Sequence, residues 1–279
     1  MQGRIIKIVS NVYTVDTADG IFNCVVRKRL KNDVKLVVGD IVEISDASDA
    51  YVIDDLCERK NSLIRPYVSN IDVALIVISP KPKADWVLVD KVIINAIDEG
   101  IEPIIVCNKS DIAKVDLSDY KSFKTFYTSA KSFEGVLSLK KYISHKTVCL
   151  IGQSAVGKSS LINAMANINL KTGELAKKTE RGRHTTRQTE LIKCDDFYII
   201  DTCGFSLLNT IDISPEELRL YYDEFLQFSD SCRYHGCTHT GEPDCCVMQH
   251  VGKEIPQGRY DRYITIFNEL EEKRRKKYD

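Results

Sequence analysis

Two short segments of this chain have the residue types and the spacing of a nucleotide-binding site. Residues 108–111 read Asn-Lys-Ser-Asp, the N-K-x-D form that recognises guanine. Residues 152–159 read Gly-Gln-Ser-Ala-Val-Gly-Lys-Ser, the G-x-x-x-x-G-K-S form of a phosphate-binding loop. In the ordinary arrangement the phosphate loop comes first, so the inverted order here indicates a circularly permuted nucleotide site.

The phosphate loop has the flanking sequence that such a loop requires. The apolar run at 147–151 predicts a short buried strand entering the loop, and residues 160–165 predict the helix leaving it. A helix N-terminus favours phosphate, because it offers free backbone N–H groups and the positive end of the helix dipole. The alternative is a glycine-rich turn in which the Lys-Ser pair is incidental.

Each motif position in this loop has an expected role. Gly152 and Gly157 let the backbone wrap the phosphates. Lys158 reaches the β- and γ-phosphates, and the Ser159 hydroxyl binds Mg²⁺. The predicted nucleotide contacts are Gly152, Gln153, Ser154, Ala155, Val156, Gly157, Lys158, Ser159 and Ser160.

The N-K-x-D segment follows an apolar run at 103–107, and ligands of parallel α/β sheets bind at the carboxyl ends of strands. By resemblance to GTPases, Asn108 and Asp111 hydrogen-bond the guanine edge while the Lys109 stem packs over the base. A carboxylate at Asp111 accepts from guanine N1–H and N2–H₂, and adenine lacks that donor pair. Downstream, Ser129 and Ala130 begin a segment similar to the S-A-K element that contacts guanine O6. The alternative there is an ordinary loop.

Residues 201–204 read Asp-Thr-Cys-Gly and resemble the D-x-x-G element of GTPases. In that element Asp201 orients the Mg²⁺ shell and the Gly204 amide senses the γ-phosphate. Cys203 stands where the element usually has Pro. Phe205 follows Gly204, at the position where Ras-type GTPases place the Gln that orients the attacking water. Because a Phe cannot orient water, the catalytic polar group must come from elsewhere in the chain or from a partner.

Residues 171–187 lack an apolar period and predict a long loop at the place of the first switch. Thr185 or Thr186 supplies the hydroxyl that closes on Mg²⁺ and the γ-phosphate. His184 is the polar substitute for the missing Gln. The alternative interpretation is a solvated basic loop without a catalytic role.

A third cluster of reactive residues lies near the C-terminus. Cys232, Cys237, His239 and Cys245 form C-x₄-C-x-H-x₅-C. Three thiolates and one imidazole are typical of a closed, tetrahedral structural zinc site. Cys246 is an alternative fourth ligand, and a redox role or a loop without metal is the other possibility.

The composition limits the classes of protein to which this chain can belong. The chain has 279 residues, of which 43% are hydrophobic, with 39 basic and 40 acidic side chains. The net charge of −1 gives no global signal for nucleic-acid binding, so a basic surface must be local. We find neither a signal peptide nor an apolar run near the ~20 residues that a membrane helix needs. We therefore expect a cytoplasmic protein without a membrane contact. We also expect a monomer.

The motifs divide the chain into three predicted units. Residues 1–66 contain short alternating strands and predict a small β-barrel of OB type, with an SH3-like barrel as the alternative. Residues 67–210 alternate strands and helices, which predicts a permuted α/β nucleotide domain with a mostly parallel sheet. Residues 211–279 predict a small α-helical zinc domain, with one helix from the Ser214 cap to about Phe228 and another from Tyr260 to about Arg274.

The permuted motif order, the barrel, the R-G-R-H-T-T loop at 181–186 and the C-terminal zinc pattern together resemble the bacterial ribosome small-subunit-dependent GTPase A family. The resemblance spans nearly the whole chain. It implies a GTP hydrolase that binds the small ribosomal subunit and 16S rRNA and acts in late assembly of that subunit. Cys203 and Glu180, where the loop usually has Gly, depart from the family pattern.

The resemblance leaves two rival functions of other classes. The first is a P-loop kinase or ATPase, and the second is an RNA-binding module with a vestigial nucleotide site. Asp111 and the intact Gly157-Lys158-Ser159 run argue against both.

Overall fold

The computed structural model describes residues 1–47, 50–64, 67–167, 190–201 and 213–278. The strands are β1 (Gln2–Val9), β2 (Val12–Thr17), β3 (Gly20–Val26), β4 (Ile41–Ala47), β5 (Ala50–Leu56), β6 (Ser62–Ile64), β7 (Tyr67–Ser69), β8 (Val73–Ile78), β9 (Glu102–Cys107), β10 (Lys124–Tyr127), β11 (Thr147–Ile151), β12 (Leu191–Cys194) and β13 (Phe197–Asp201). The helices are α1 (Lys28–Asp33), α2 (Trp86–Asp98), α3 (Val136–Tyr142), α4 (Lys158–Asn167), α5 (Asp223–Ser229), α6 (Cys246–Gln249) and α7 (Gln257–Tyr278). Short 3-10 helices lie at Ser118–Tyr120 and Leu218–Tyr221.

The first five strands close into a barrel in the order β1-β2-β3-β5-β4, with β4 pairing back onto β1. The β3–β5 pair is parallel and the other pairs are antiparallel. Strand alternation turns apolar side chains such as Ile5, Val15 and Ile53 into the barrel, where all three are fully buried. The OB-type prediction is confirmed.

A six-stranded sheet follows, in the order β10-β9-β8-β11-β13-β12. Five strands are parallel, and the edge strand β12 runs antiparallel to β13. Strands β8 and β11 are buried along their whole length, because α2 covers one face of the sheet while α3 and α4 cover the other. The predicted α/β class with a mostly parallel sheet is confirmed.

The predicted limit between the first two units, at residues 66 and 67, falls between β6 and β7. These two strands pair with each other in an antiparallel ladder. Asn61 reinforces the pair, since its amide donates to the Ile71 carbonyl at 2.8 Å and its oxygen accepts from the Ile71 N–H at 2.9 Å. The limits of the three predicted units stay a prediction.

The C-terminal unit differs from the prediction in its first helix. Ser214 and Glu217 form the expected capping box, in which Ser214 N–H donates to Glu217 Oε2 at 2.8 Å and Glu217 N–H donates to Ser214 Oγ at 3.3 Å. The chain then makes one 3-10 turn and leaves helical geometry at Tyr222, with φ −115° and ψ 88°, before α5 begins. The prediction of one helix to Phe228 is therefore wrong. Burial of the Tyr222 ring against Phe225 and Tyr263 accompanies the break.

The last helix, α7, is longer than the predicted span of Tyr260 to Arg274. Its apolar residues Tyr263, Ile266 and Leu270 pack into the C-terminal core together with Ile94 of α2. Among the residues that the structure describes, no helix is both long enough and apolar enough to cross a membrane.

Asp90, in the middle of α2, is a fully buried carboxylate that fastens the C-terminal unit to the sheet. Its two oxygens accept from Arg259 at 2.7 Å and from Arg262 at 2.8 Å, both on α7. The Tyr120 hydroxyl also donates to Asp90, at 2.6 Å, and Glu224 accepts from Arg259 at 2.6 Å. Burial disfavours charge, so these groups depend on one another for compensation.

We expect Asp90→Asn to lower the free energy of unfolding by about 3 to 5 kcal/mol, because two guanidinium groups stay buried with part of their compensation lost. Urea titration followed by circular dichroism measures the change. The control is Asp98→Asn on the same helix, where an exposed carboxylate accepts from the Tyr221 hydroxyl at 2.6 Å; there we expect a loss of about 1 kcal/mol or less. Equal losses in the two variants would contradict a central role for Asp90.

Candidate nucleotide-binding site and metal site

The carboxyl ends of the parallel strands bring the predicted nucleotide residues to one edge of the sheet. Asn108 follows β9 directly, Ser129 is the second residue after β10, Gly152 follows β11 directly, and Asp201 is the last residue of β13. Strands β8 and β11 are neighbours in the sheet although they are far apart in sequence, which makes the gap between them a topological switch point. Ligands of open α/β sheets bind at such points.

The loop from Gly152 to Gly157 connects β11 to the first residue of α4 and needs both of its glycines. Gly152 has φ +152°, and a Cβ there would collide with the Val77 carbonyl oxygen. Gly157 has φ +93°, and a Cβ there would lie 2.5 Å from Asn108 Nδ2. The backbone can therefore lie against β8 and against the base motif at once.

Lys158 begins α4, and its ammonium group folds back over the loop. Its Nζ donates to the carbonyl oxygens of Gly152 and Gln153, at 2.7 Å each. Ser159 and Ser160 follow in the first turn of the helix, and both are exposed. The charge of Lys158 thus lies where a phosphate group would enter the loop.

Asn108 joins the base motif to the phosphate loop. It is 1% exposed, and its Nδ2 donates to the carbonyl oxygens of Val156 at 3.1 Å and Gly157 at 3.3 Å. Its Oδ1 accepts from the Ala130 N–H at 3.3 Å and from the Thr128 hydroxyl at 3.4 Å. The amide is thus already satisfied by protein groups, which gives Asn108 a positioning role; a direct contact with guanine stays a prediction.

Lys109 makes a second connection between the two motifs. Its φ is +61°, and its Nζ donates to the Ala155 carbonyl at 2.6 Å and to the Lys81 carbonyl at 2.8 Å. The side chain therefore spans from the base motif to the phosphate loop. The packing of its stem over a base stays a prediction.

Asp111 is exposed, and Ser129 holds one of its oxygens. The Ser129 hydroxyl, which is fully buried, donates to Asp111 Oδ1 at 2.6 Å and accepts from the Ser132 N–H at 3.1 Å. Among the described residues, no hydrogen-bond partner is found for Asp111 Oδ2. A carboxylate fixed at one oxygen and available at the other is suited to accept from the N–H groups of a base.

Sequence reasoning missed the loop between β8 and α2, residues 79–85. Buried Ser79 donates to the Lys81 carbonyl at 2.8 Å, and Gln153 of the phosphate loop accepts from the Asp85 N–H at 3.0 Å. Asp85 also caps α2 through Leu88 N–H at 3.0 Å. The signal was available, because the buried strand β8 ends at this edge of the sheet as the strands of the other motifs do.

Four predicted residues lie outside the part of the chain that the structure describes: His184, Thr185, Thr186 and Gly204. For Asp201 the backbone is described as the end of β13, but not the side chain. Their catalytic and Mg²⁺-binding roles stay predictions.

The four predicted metal ligands lie together in the C-terminal unit. The ligand atoms of Cys232, Cys237, His239 and Cys245 are all within 4.8 Å of one another. His239 Nδ1 is 3.3 Å from Cys245 Sγ and 3.7 Å from Cys232 Sγ. Three sulfurs and one nitrogen at this spacing fit a tetrahedral metal ion.

Cys246, the alternative ligand, stands apart from this group. It begins α6, and its Sγ lies 3.8 Å from Nδ1 of His250, whose ring stacks on Phe228. Cys245, the residue immediately before the helix, belongs to the cluster instead.

Ser229 holds the ring of His239 in an orientation that suits metal binding. The Ser229 hydroxyl donates to the Phe225 carbonyl at 2.8 Å and lies 3.2 Å from His239 Nε2. Because that hydroxyl proton is used, Ser229 Oγ accepts from Nε2–H, and Nδ1 keeps its lone pair toward the cysteines. Burial lowers the pKa of His239 to about 4, so the imidazole is neutral at pH 7.

Family models match both the barrel and the sheet. The model described as RsgA GTPase matches residues 56–211, and the model described as RsgA N-terminal domain matches residues 2–52. The small ribosomal subunit biogenesis GTPase RsgA of Caldanaerobacter subterraneus subsp. tengcongensis is 41% identical over 292 aligned residues, which cover 100% of this chain and 98% of that protein. The RsgA protein of Halalkalibacterium halodurans is 36% identical, with 99% of each chain covered.

Solved structures agree with these matches. The crystal structure of YjeQ from Thermotoga maritima superposes with a TM-score of 0.81 at 33% identity, covering 96% of this chain and 98% of that one. The crystal structure of YloQ, described as a circularly permuted GTPase, superposes with a TM-score of 0.81 at 31% identity, covering 98% of this chain and 95% of that one. The permuted arrangement predicted from the motif order is confirmed.

Proposed function

The chain belongs to the RsgA GTPase family, and we propose that it hydrolyses GTP on the small ribosomal subunit during late assembly of that subunit. The observation that carries the nucleotide part is the contact between the two motifs: Asn108 and Lys109 both donate to carbonyl oxygens of the phosphate loop, 46 to 49 residues further along the chain. The names of the relatives support the ribosomal part. We further propose 16S rRNA as a contact, GTP and GDP as the bound nucleotides, and a monomer in the cytoplasm.

We assign three functional units to this activity. Residues 1–66 form the barrel, residues 67–210 the permuted nucleotide domain and residues 211–279 the zinc domain. Zinc is the proposed metal, because a buried set of three sulfurs and one nitrogen is the ligand combination of closed zinc sites.

Hydrolysis proceeds by attack of water on the γ-phosphate. Lys158 exchanges the carbonyl oxygens of Gly152 and Gln153 for phosphate oxygens, and the loop amides bind the remaining phosphate charge. Mg²⁺ bound with GTP neutralises charge on the phosphates; Ser159, Thr185 or Thr186 and, through water, Asp201 would hold it. The Gly204 N–H donates to a γ-phosphate oxygen, and His184 orients the attacking water, which Phe205 cannot do.

A turnover assay with purified small subunits tests this proposal. We expect the subunits to stimulate GTP hydrolysis, and His184→Ala to lower the stimulated rate at least about tenfold, because loss of a group that orients or deprotonates water typically costs that much or more. GTP affinity should stay within about twofold, since His184 contributes to the transition state rather than to binding.

His145→Ala is the matched control, because His145 is exposed and lies at the opposite edge of the sheet, just before β11. Its stimulated rate should equal that of the unaltered protein. A rate unchanged in His184→Ala would remove His184 from catalysis, and absence of any stimulation would contradict the ribosomal part of the proposal.

A further inference from the structure

The hairpin β12–β13 joins the two predicted switch segments. Residues 171–187 precede it in the sequence, and the segment 201–204 begins at Asp201, its last residue, so the hairpin is the covalent connection between them. Its register pairs Leu191 with Ile200 and Cys194 with Phe197, across a turn at residues 195 and 196. A nucleotide-dependent change in either segment therefore acts on the hairpin directly.

The N-terminal barrel contacts this hairpin along β12, the edge strand of the sheet. Lys7 of β1 forms an isolated backbone bridge with Glu190, and its Nζ pairs with Glu190 Oε2 at 3.1 Å. Both side chains are about one third exposed, at 35% and 34%, so this ion pair alone contributes little.

Asp16 of β2 makes the buried contact. Its side chain is 2% exposed and accepts from Lys193 Nζ on β12, at 2.7 Å for Oδ2 and 3.0 Å for Oδ1. The Tyr198 hydroxyl on β13 donates to Asp16 Oδ2 at 2.6 Å. One barrel carboxylate is thus bonded to both strands of the hairpin.

Tyr198 is held in place to make this bond. The Arg4 guanidinium lies 5.4 Å from the centre of its ring. Burial, followed by the hydrogen bond to Asp16, raises the pKa of Tyr198 to about 12, so its hydroxyl remains a donor at neutral pH. The donors that face Asp16 are Lys193 and Tyr198, and Arg4 is the other cation packed against Tyr198.

We propose that Asp16 is a positioning residue that couples the barrel to the nucleotide state by holding the hairpin between the two switch segments. A shift of the hairpin by one residue would turn Lys193 and Tyr198 to the other face of the sheet and leave a buried carboxylate unpaired, which is strongly unfavourable. The barrel must therefore move with the hairpin or resist its movement. Linkage makes this coupling reciprocal. If the nucleotide state changes the affinity of the barrel for another molecule by some factor, that molecule changes the affinity for the nucleotide by the same factor.

This inference rests on the proposed function in one respect, the assignment of the flanking segments as switches. The experiment uses the full chain and measures hydrogen–deuterium exchange of peptides from residues 2–17 and 190–201, with GDP and with a non-hydrolysable GTP analogue. We expect exchange rates to differ at least about fivefold between the two nucleotides, the lower end of usual coupling. In Asp16→Asn the difference at residues 2–17 should fall below about twofold, while both nucleotides still bind.

Asp19→Asn is the matched control, because Asp19 is exposed in the turn that follows β2. It should keep the full difference. Tyr198→Phe removes one bond from the hairpin side without altering the barrel sequence, and it replaces Asp16→Asn if that variant loses the barrel fold. Two results would overturn the coupling while leaving GTP binding intact. The first is equal exchange of residues 2–17 with both nucleotides in the unaltered protein, and the second is a full difference in exchange in both Asp16→Asn and Tyr198→Phe. Failure to bind GTP would instead contradict the proposed function.

Discussion

Removal of the proposed zinc ion is expected to unfold the C-terminal unit, residues 213–278, and to leave GTP affinity nearly unchanged. His239, Cys237 and Cys245 are buried at the centre of this unit, where the Phe225 ring packs edge-on against His239 at 5.8 Å. The Tyr260 hydroxyl donates to the His239 carbonyl at 2.9 Å. Structural zinc contributes apparent binding energies of about 10–16 kcal/mol, which is as large as the stability of a whole domain, about 5–15 kcal/mol.

The zinc prediction has a matched pair of variants in neighbouring residues. Cys245→Ser should lose the metal, whereas Cys246→Ser, whose sulfur lies beside His250, should keep about one equivalent. Metal analysis gives the content, and circular dichroism melting with a zinc-selective chelator and excess Mg²⁺ gives the stability. Less than about half an equivalent in the unaltered protein, or an unchanged melt of the Cys245→Ser protein, would contradict a structural zinc site.

Asp111→Asn is expected to weaken GTP binding at least about 100-fold and to favour XTP, because sites built around a base hydrogen bond strongly reject the mismatched partner. The Ser129 hydroxyl decides how the new amide is oriented. Since Ser129 accepts from Ser132 N–H and donates to residue 111, it selects the amide oxygen and leaves the NH₂ group at the position of Asp111 Oδ2. That NH₂ group faces a donor in guanine but an acceptor, the C2 carbonyl, in xanthine.

A competition titration with GTP and XTP measures this change. The control is Asp116→Asn, five residues along the chain, where an exposed carboxylate accepts from the Ser118 N–H at 2.9 Å. It should keep the preference for GTP. A preference for GTP retained by Asp111→Asn would remove Asp111 from base recognition.

The sequence predicts the elements whose signals are local. Strands β8 and β11 are continuous apolar runs because helices cover both faces of the sheet, and β9 and β11 each end at a motif. The capping box at Ser214 was likewise predictable from the sequence. The break at Tyr222 was not, because it depends on an aromatic partner from α7. The edge strand β12 was missed, since four residues flanked by loops give little periodicity.

The same distinction holds for the site. The identity of the metal ligands and of the phosphate loop follows from spacing, whereas the role of Asn108 depends on contacts 48 and 49 residues away. Asp90 and Asp16 carry no sequence signal, because the cationic partners that compensate their buried charge lie more than 165 residues away in each case. Long-range polar contacts of this kind must be read from the fold.

The most direct test of the central claim, that this nucleotide site responds to the small subunit, is XTP turnover by Asp111→Asn with and without purified small subunits. Purified subunits can carry other GTPases, but those enzymes do not accept XTP in place of GTP, so XTP isolates the site of this chain. We expect subunits to stimulate XTP hydrolysis by Asp111→Asn and GTP hydrolysis by the unaltered protein by similar factors. XTP that is bound by Asp111→Asn but hydrolysed at the same rate with and without subunits would contradict the account.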